Sequence, residues 1–348
     1  MSIKTRRAVA LISGGLDSLL ATKVILDQGI HVEGINFYTG FCVEGHTQAI
    51  RKQEEKKQKR NNALWVAEQL GIKLHIIDVI DEYKDVLLNP KHGYGSNLNP
   101  CLDCKVFMVK KAKQWMEENH FDFIITGEVM GQRPMSQRKD TMPIVSKESE
   151  VFDRLVRPLC AQHLPETLPE KEGWLDRKKL LNFYGRNRKP QIELAKHYGF
   201  IDYAQPAGGC CFLTNEHYSA KLVDLWTARG ERAYELDDLV LLKIGRHLRP
   251  RPEFKLIIGR EEGENNFMNG YKKAMGYFEI ISHMGPLVLV DGKIKPEDRE
   301  LAARIVARYS QGREENKVDL IYRDALGITH QLSVKPLRQD EILESWHV

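Results

Sequence analysis

Four of the six cysteines stand in two tight pairs, Cys101-x-x-Cys104 and Cys210-Cys211, while Cys42 and Cys160 stand alone. Thiols this close suit metal ligation, cluster ligation or thiol–disulfide exchange better than packing. Near the amino end, Ser13-Gly14-Gly15-Leu16-Asp17-Ser18 joins an apolar run, Ala8–Ile12, to a stretch whose Leu16, Leu19, Leu20, Val24 and Ile25 share one helical face. Two glycines let a turn bring backbone N–H groups close to an anion, and a helix N-terminus adds partial positive charge there. Ser13 and Ser18 can donate to phosphate oxygens. Asp17 repels phosphate, so its expected role is to hold Mg²⁺ or to position a loop amide. No Gly-Lys-Ser/Thr occupies this turn, which excludes a P-loop ATPase. The plainer alternatives are a polar strand-to-helix turn for the loop, and a zinc half-site, a redox switch or buried thiols for the cysteines. Cys42 and Cys160 read as packing residues.

Two further segments carry chemistry. Thr126-Gly127-Glu128-Val129-Met130-Gly131-Gln132 follows an apolar run at Phe121–Thr126, where Gly127 allows close approach and Gln132 and Arg133 can reach phosphate or nucleic acid. Arg177, Lys178, Arg186, Arg188 and Lys189 lie among Trp174, Phe183 and Tyr184, a mixture of cations and rings suited to RNA backbone and flipped bases. Arg246 and Arg249 form a second basic group, whereas the run Arg51–Arg60 reads as a solvated helix face.

The elements that must position these residues alternate. Strands are predicted at Ala8–Ile12, Val32–Phe37, Lys73–Val79 and Phe121–Thr126. Helices are predicted from Leu16, over about Gln48–Leu70 with Gly71 as the stop, and over Cys104–Asn119. That is the pattern of an α/β doubly wound parallel sheet, whose ligands sit beyond the carboxyl ends of the strands. Residues 129–173 read as loop-rich decoration and Trp174–Phe200 as helix. Beyond residue 216 a helix at 217–229 precedes short β-like runs at Leu239–Ile244, Phe254–Ile258, Leu287–Val290, Val318–Tyr322 and Thr329–Val334. Two domains are expected, 1–215 and a smaller α+β domain at 216–348. The 348 residues, with net charge +4, permit a nucleic-acid partner without demanding one. With no apolar run of membrane length and no signal-peptide pattern at the amino end, a cytoplasmic protein is expected.

In this context the hexapeptide SGGLDS is the signature of the PP-loop ATP pyrophosphatases, which the chain resembles over about residues 8–215. Members cleave ATP between the α- and β-phosphates and adenylate a carbonyl or carboxyl oxygen. The resemblance implies that Ser13, Gly14, Gly15, Asp17 and Ser18 bind ATP with Mg²⁺, that Asn36 and Phe37 lie beside adenine, and that Gly127 approaches the nucleotide. Asn99-Pro100-Cys101-x-x-Cys104-Lys105-x-Phe107 and Gly209-Cys210-Cys211-Phe212-Leu213 are similar to the cysteine segments of bacterial tRNA 2-thiouridylases, and residues 126–132 resemble a segment of tRNA 4-thiouridine synthetases. Cys104 and Cys211 match the working cysteines there, and Cys101 and Cys210 are additional.

The resemblance implies thiolation of tRNA: adenylation of a base carbonyl, then displacement of AMP by sulfur. The sulfur rests either on a [4Fe–4S] cluster held by Cys101, Cys104 and Cys211 (or Cys210), or on a persulfide of Cys104 or Cys211 that the other thiol resolves. Free sulfide and a cysteine desulfurase are both admissible donors, and association as a homodimer stays open. Lys243–His247 and Leu256–Arg260 resemble an NFACT-R domain, which implies RNA binding. A small-molecule sulfur transferase or amide-forming adenylase sharing the loop is the rival expectation, and a nucleotide-sensing RNA scaffold is a third.

Overall fold

Ala8 and Ala10 point to one side of the first strand and Val9 to the other, and all three are buried, so the strand must be covered on both faces. A computed structural model, which describes residues 5–42, 61–204 and 211–348, shows this arrangement. Strands β1 (Arg7–Leu11), β2 (His31–Tyr38), β3 (Leu74–Asp78), β4 (Phe123–Ile125) and β5 (Leu155–Val156) form a parallel sheet in the order β3-β2-β1-β4-β5. On one face Ala8, Ala10 and Ile12 pack against helices α1 (Leu16–Leu26), α2 (Asn62–Leu70) and α7 (Lys189–His197). On the other, Val9, Ile35 and Phe37 pack against α4 (Cys101–Glu118) and α5 (Thr141–Glu148), with α3 (Ile80–Leu88) beside α4. The short helix α6 (Leu168–Lys171) completes this unit, which ends at Thr214.

Strand order reverses between β1 and β4. The turn after each therefore opens into the crevice where doubly wound sheets bind ligands. Helix α4 is the crossover that feeds β4, so its first turn lies on this same carboxyl edge.

Several sequence expectations are corrected. Helix α2 starts at Asn62, where the Asn61 side chain caps it by accepting from the Ala63 and Leu64 amides, and it stops at Gly71 with φ +63°. The rest of the expected long helix, with the run Arg51–Arg60, lies outside the described residues. Helix α4 begins at Cys101, three residues earlier than expected. Residues 129–173 contain α5, β5 and α6. Only Lys189–His197 of the expected helix 174–200 is α-helical, because Gly185 turns the chain at φ +80° and Pro190 sits in the first turn of α7.

The second unit, residues 215–348, begins with α8 (Glu216–Arg229), capped by Asn215, and α9 (Leu236–Leu241). Leu239–Ile244 was expected as a strand. A reciprocal capping box between Glu235 and Asp238 makes its first half, Leu239–Leu241, helix instead, and a turn follows. Then follow β6 (Arg246–Arg251), β7 (Phe254–Ile258), α10 (Glu262–Met268), β8 (Gly276–Ile280), β9 (Val288–Gly292), α11 (Arg299–Arg308), β10 (Val318–Arg323) and β11 (Thr329–Val334). The strands form an antiparallel sheet in the order β11-β10-β8-β9-β7-β6. Ala302, Ala303, Ile305 and Val306 of α11 cover one face, and burying each of the two larger side chains contributes about 1.5–3 kcal/mol. Leu241 and Met268 pack on the other face.

Candidate active site

The SGGLDS loop leaves β1 as a sharp turn. Gly14 has φ +78°, and a β-carbon there would stand 2.7 Å from Asn62 Cβ, so neither the conformation nor the space admits a side chain. Gly15 is extended and precedes α1; a β-carbon there would meet only Ser13 Oγ, at 3.5 Å. Its backbone also forms an isolated parallel bridge with Ala204. The Gly15 amide donates to Ser13 Oγ at 3.4 Å, and the Ser18 hydroxyl donates to the Gly15 carbonyl at 2.8 Å. These contacts hold both serines at the amino end of α1, where an anion is favoured. Asn36 donates its amide to the Ile12 carbonyl at 2.7 Å and so fixes the entry to the loop. The Phe37 ring is buried in the core, and its backbone pairs with Ile77 of β3.

The turn after β4 closes on the loop from the other side of the crevice. A β-carbon on Gly127 would stand 2.5 Å from the Asp17 carbonyl carbon and 2.6 Å from the Ser18 amide nitrogen. Gln132 donates to Asp17 Oδ2 at 2.7 Å, Gln191 donates to Gln132 Oε1 at 3.1 Å, and Arg188 Nη2 lies 3.5 Å from Asp17 Oδ1. Asp17 therefore joins the loop to Gln132 of the strand-end turn and to Arg188 at the start of α7. The amide of Gly185 donates to the Met130 carbonyl at 2.7 Å, fastening the segment around Tyr184 to this turn.

Beneath lies a charge pair that sequence reading missed. Glu128 and Arg157 are both buried, with Arg157 Nε 3.0 Å from Glu128 Oε2. Thr126 donates to the same oxygen at 2.8 Å, and Arg157 also reaches Ser146 Oγ and the Met142 carbonyl. Burial pushes the Glu128 carboxyl up, but Lys105 and Arg157 outweigh it and hold the group below its usual range. Lys105, one residue after Cys104, thereby couples the first turn of α4 to the end of β4.

The cysteine segments meet on this unit. Cys101 and Cys104 lie in the first turn of the long helix α4, at its partially positive end. Cys101 Sγ lies 3.5 Å from the buried Ser136 hydroxyl. Cys211 Sγ lies 3.8 Å from Asn99 Oδ1, and Asn97 donates to the Thr214 carbonyl at 2.9 Å. Asn99, two residues before Cys101, is thus the contact between segments far apart in sequence. Cys211 also forms an isolated antiparallel bridge with Cys42, a residue read from sequence as packing. Cys210 lies outside the described residues. Among the described residues, no three His, Cys, Asp or Glu side chains gather as a metal-binding set. Cys160 is a core residue, its thiol pushed up to about 11 by burial.

The basic residues divide sharply. Arg177 is clamped by Glu170 and by the carbonyls of Ala161 and Leu164, and Arg249 is paired with Asp224, so both are structural ties. Lys178, Arg186 and Lys189 are exposed, and Arg246 lies over the Tyr309 ring. Among the aromatics, Tyr184 is 65% exposed, while Trp174 and Phe183 pack on the core and Trp174 carries Arg6 on its face.

Residues 4–164 match the family model described as "Thiamine biosynthesis protein (ThiI)", and residues 245–347 match the one described as "NFACT protein RNA binding domain". A protein of Thermococcus kodakarensis named "Probable tRNA sulfurtransferase" is 27% identical over 188 residues, covering 54% of this chain and 44% of that protein. The "tRNA-specific 2-thiouridylase MnmA" of Karelsulcia muelleri is 23% identical over 320 residues, covering 84% of this chain and 75% of its own. A solved 4-thiouridine synthetase–RNA complex with bound ATP aligns with a TM-score of 0.37 at 22% identity, over 56% of this chain and 41% of that one. The chain spans under half the length of the Thermococcus relative. Over its first unit the chain resembles the tRNA-thiolation branch of the PP-loop superfamily, and its second unit carries an NFACT-R-like domain.

Proposed function

We propose that this chain uses ATP to adenylate the carbonyl oxygen of a base in tRNA and then replaces that oxygen with sulfur. The observation that carries the reading is the contact of Asn99 Oδ1 with Cys211 Sγ, 3.8 Å, which brings the second cysteine segment to the Cys101/Cys104 end of α4. An adenylating loop alone would serve many acceptors. Cysteine segments on the same edge of the sheet favour sulfur as the incoming atom.

In this reading the Gly15 backbone and the Ser13 and Ser18 hydroxyls take the pyrophosphate portion of ATP. Gly127 keeps the strand-end turn close, and Arg188 supplies positive charge beside the loop. Asp17 is the carboxylate that would share Mg²⁺ with the phosphates, the ion adding positive charge as the bond to pyrophosphate breaks. The base oxygen attacks the α-phosphorus, pyrophosphate leaves, and a sulfur borne by Cys211 displaces AMP. Adenylation is needed because an amide-like oxygen is a poor leaving group and AMP a good one. The base must leave its stack to reach the site, and exposed Tyr184, Arg186 and Lys189 are suited to receiving it. We place the reaction in the cytoplasm; among the described residues no helix is long and apolar enough to cross a membrane. An iron–sulfur cluster on Cys101, Cys104 and Cys211 or Cys210 is the other source of sulfur that the cysteine pattern admits.

The test is incubation of the full chain with ATP, Mg²⁺, bulk tRNA and either sulfide or a cysteine desulfurase with cysteine. AMP release dependent on tRNA, with a thionucleoside found on digestion of the RNA, is expected. Iron and sulfide analysis of protein purified without oxygen separates the two sulfur sources. AMP formed equally well without RNA would point to a small acceptor and overturn the assignment.

A further inference from the structure

Cys42 and Cys211 face one another across an antiparallel bridge. The flanking hydrogen bond runs from the Phe212 amide to the Phe41 carbonyl, 3.0 Å, so the two cysteines occupy a non-hydrogen-bonded pair of the ladder. At such a pair the α-carbons stand about 4.5 Å apart and the side chains lie close on one side. A disulfide closes when α-carbons are about 4.4–6.8 Å apart, so this register admits one without backbone movement. Both residues are partly exposed. Cys42 Sγ is 3.6 Å from Thr39 Oγ1, and Cys211 Sγ is 3.8 Å from Asn99 Oδ1.

We propose that Cys42 is the resolving thiol for Cys211, an assignment that rests on Cys211 carrying the sulfur to be delivered. Before transfer, Cys211 holds that sulfur as a persulfide. Once the outer sulfur has displaced AMP, it bridges Cys211 and the base carbon. The Cys42 thiolate, its proton lost to solvent, then attacks Cys211 Sγ. A Cys42–Cys211 bond forms, the bond from Cys211 to the outer sulfur breaks, and the electron pair leaves with that sulfur on the base. The oxidation level of the resulting disulfide comes from the persulfide sulfur itself, and an external dithiol returns both cysteines to thiols. Cys104 is the competing candidate for this attack.

The assignment is tested on the full chain carrying Cys210→Ser, with one equivalent of dithiodipyridine placing an aromatic thiol on Cys211 as a substitute for the outer group. Two pyridinethiones are expected per chain, and a non-reducing digest should link the peptide containing Cys42 to the one containing Cys211. Adding Cys42→Ser should stop the reaction at the mixed disulfide and, with persulfide-loaded protein, ATP and tRNA, trap RNA bound to Cys211 through sulfur. Buried Cys160 serves as the internal marker of intact folding, staying unmodified until urea is added. A link from Cys211 to Cys104 or Cys101, with Cys42 still open to alkylation, overturns the proposal. So does a Cys42→Ser chain that releases thiolated RNA in the first turnover as the parent does. A chain that thiolates tRNA but joins Cys211 to Cys104 sinks this assignment and spares the proposed function. One that joins Cys42 to Cys211 but yields no thionucleoside does the reverse.

Discussion

Gly127 and Asp17 are packed backbone to backbone: a β-carbon on Gly127 would lie 2.5 Å from the Asp17 carbonyl carbon and 2.6 Å from its oxygen. The atoms in the way belong to the main chain of the SGGLDS loop and its helix, so they cannot move aside as a side-chain tip can. Gly127→Ala must therefore displace the loop or the strand-end turn. Overpacking of this kind costs about 1–3 kcal/mol, and a loop shifted by a fraction of an ångström loses its aim at phosphate. We expect a lower urea midpoint and at least a roughly tenfold weaker ATP titration, since 1.4 kcal/mol corresponds to about that factor. An alanine variant that binds ATP like the parent would show that this approach has no part in the nucleotide site.

Arg188 was expected among the RNA contacts, yet its guanidinium lies beside Asp17, and its Nε is buried with no hydrogen-bond partner among the described residues. A cation held by the loop's own carboxylate has a ready second partner once a triphosphate arrives. Arg188→Ala should raise the Kd for ATP about tenfold or more, as expected for one charge-assisted hydrogen bond of about 1.5–3 kcal/mol. It should leave the slope of log K for tRNA against log salt unchanged. If the ATP affinity is untouched and the slope falls by about one, Arg188 contacts RNA phosphate instead.

How far the sequence could be read follows from how local each determinant is. The SGGLDS turn and the buried strands β1 and β2 depend on neighbouring residues, and pattern alone located them. Strand β6 was hidden because its arginines break the apolar alternation. Only the fold shows that Arg249 is neutralised by Asp224 on α8 while His247 and Leu248 are buried. Leu239–Ile244 looks like a strand because apolar runs of that length have no period to judge, and the capping box decided for helix. The two NFACT-R-like runs were recognised as motifs, but not why they belong together. They pair as β6 and β7, and Glu264 accepts from the Gly245 and Arg260 amides, tying both ends. At the site, Glu128–Arg157, Asn99–Cys211 and Cys42–Cys211 are long-range meetings between separate segments, and no single-sequence pattern carries them.

Lys221 on α8 gives the pH prediction. Its ammonium reaches the Leu242 and Gly245 carbonyls at 3.4 Å, a partly buried position facing Arg260, Lys255 and Glu264. Burial, then repulsion from Arg260 and Lys255, lowers its pKa from 10.5 to about 8, with Glu264 opposing. The sign follows from proton counts. Between the folded value near 8 and the unfolded value of 10.5, the unfolded chain holds this proton and the folded chain has released it, so the Lys221 contribution to stability rises with pH. Below the folded value both states hold the proton and the contribution is flat. Lys221→Met removes this titration, together with the charge that helps hold the buried His247 imidazole below its usual range. The stability of the parent minus that of the variant should therefore increase by up to about 1.4 kcal/mol per pH unit across that window. Urea unfolding of both chains at several pH values, with the pair compared at each so that other titrating groups cancel, measures the difference. A difference that is flat across the window, or that falls, would place the Lys221 ammonium in water and not among these carbonyls.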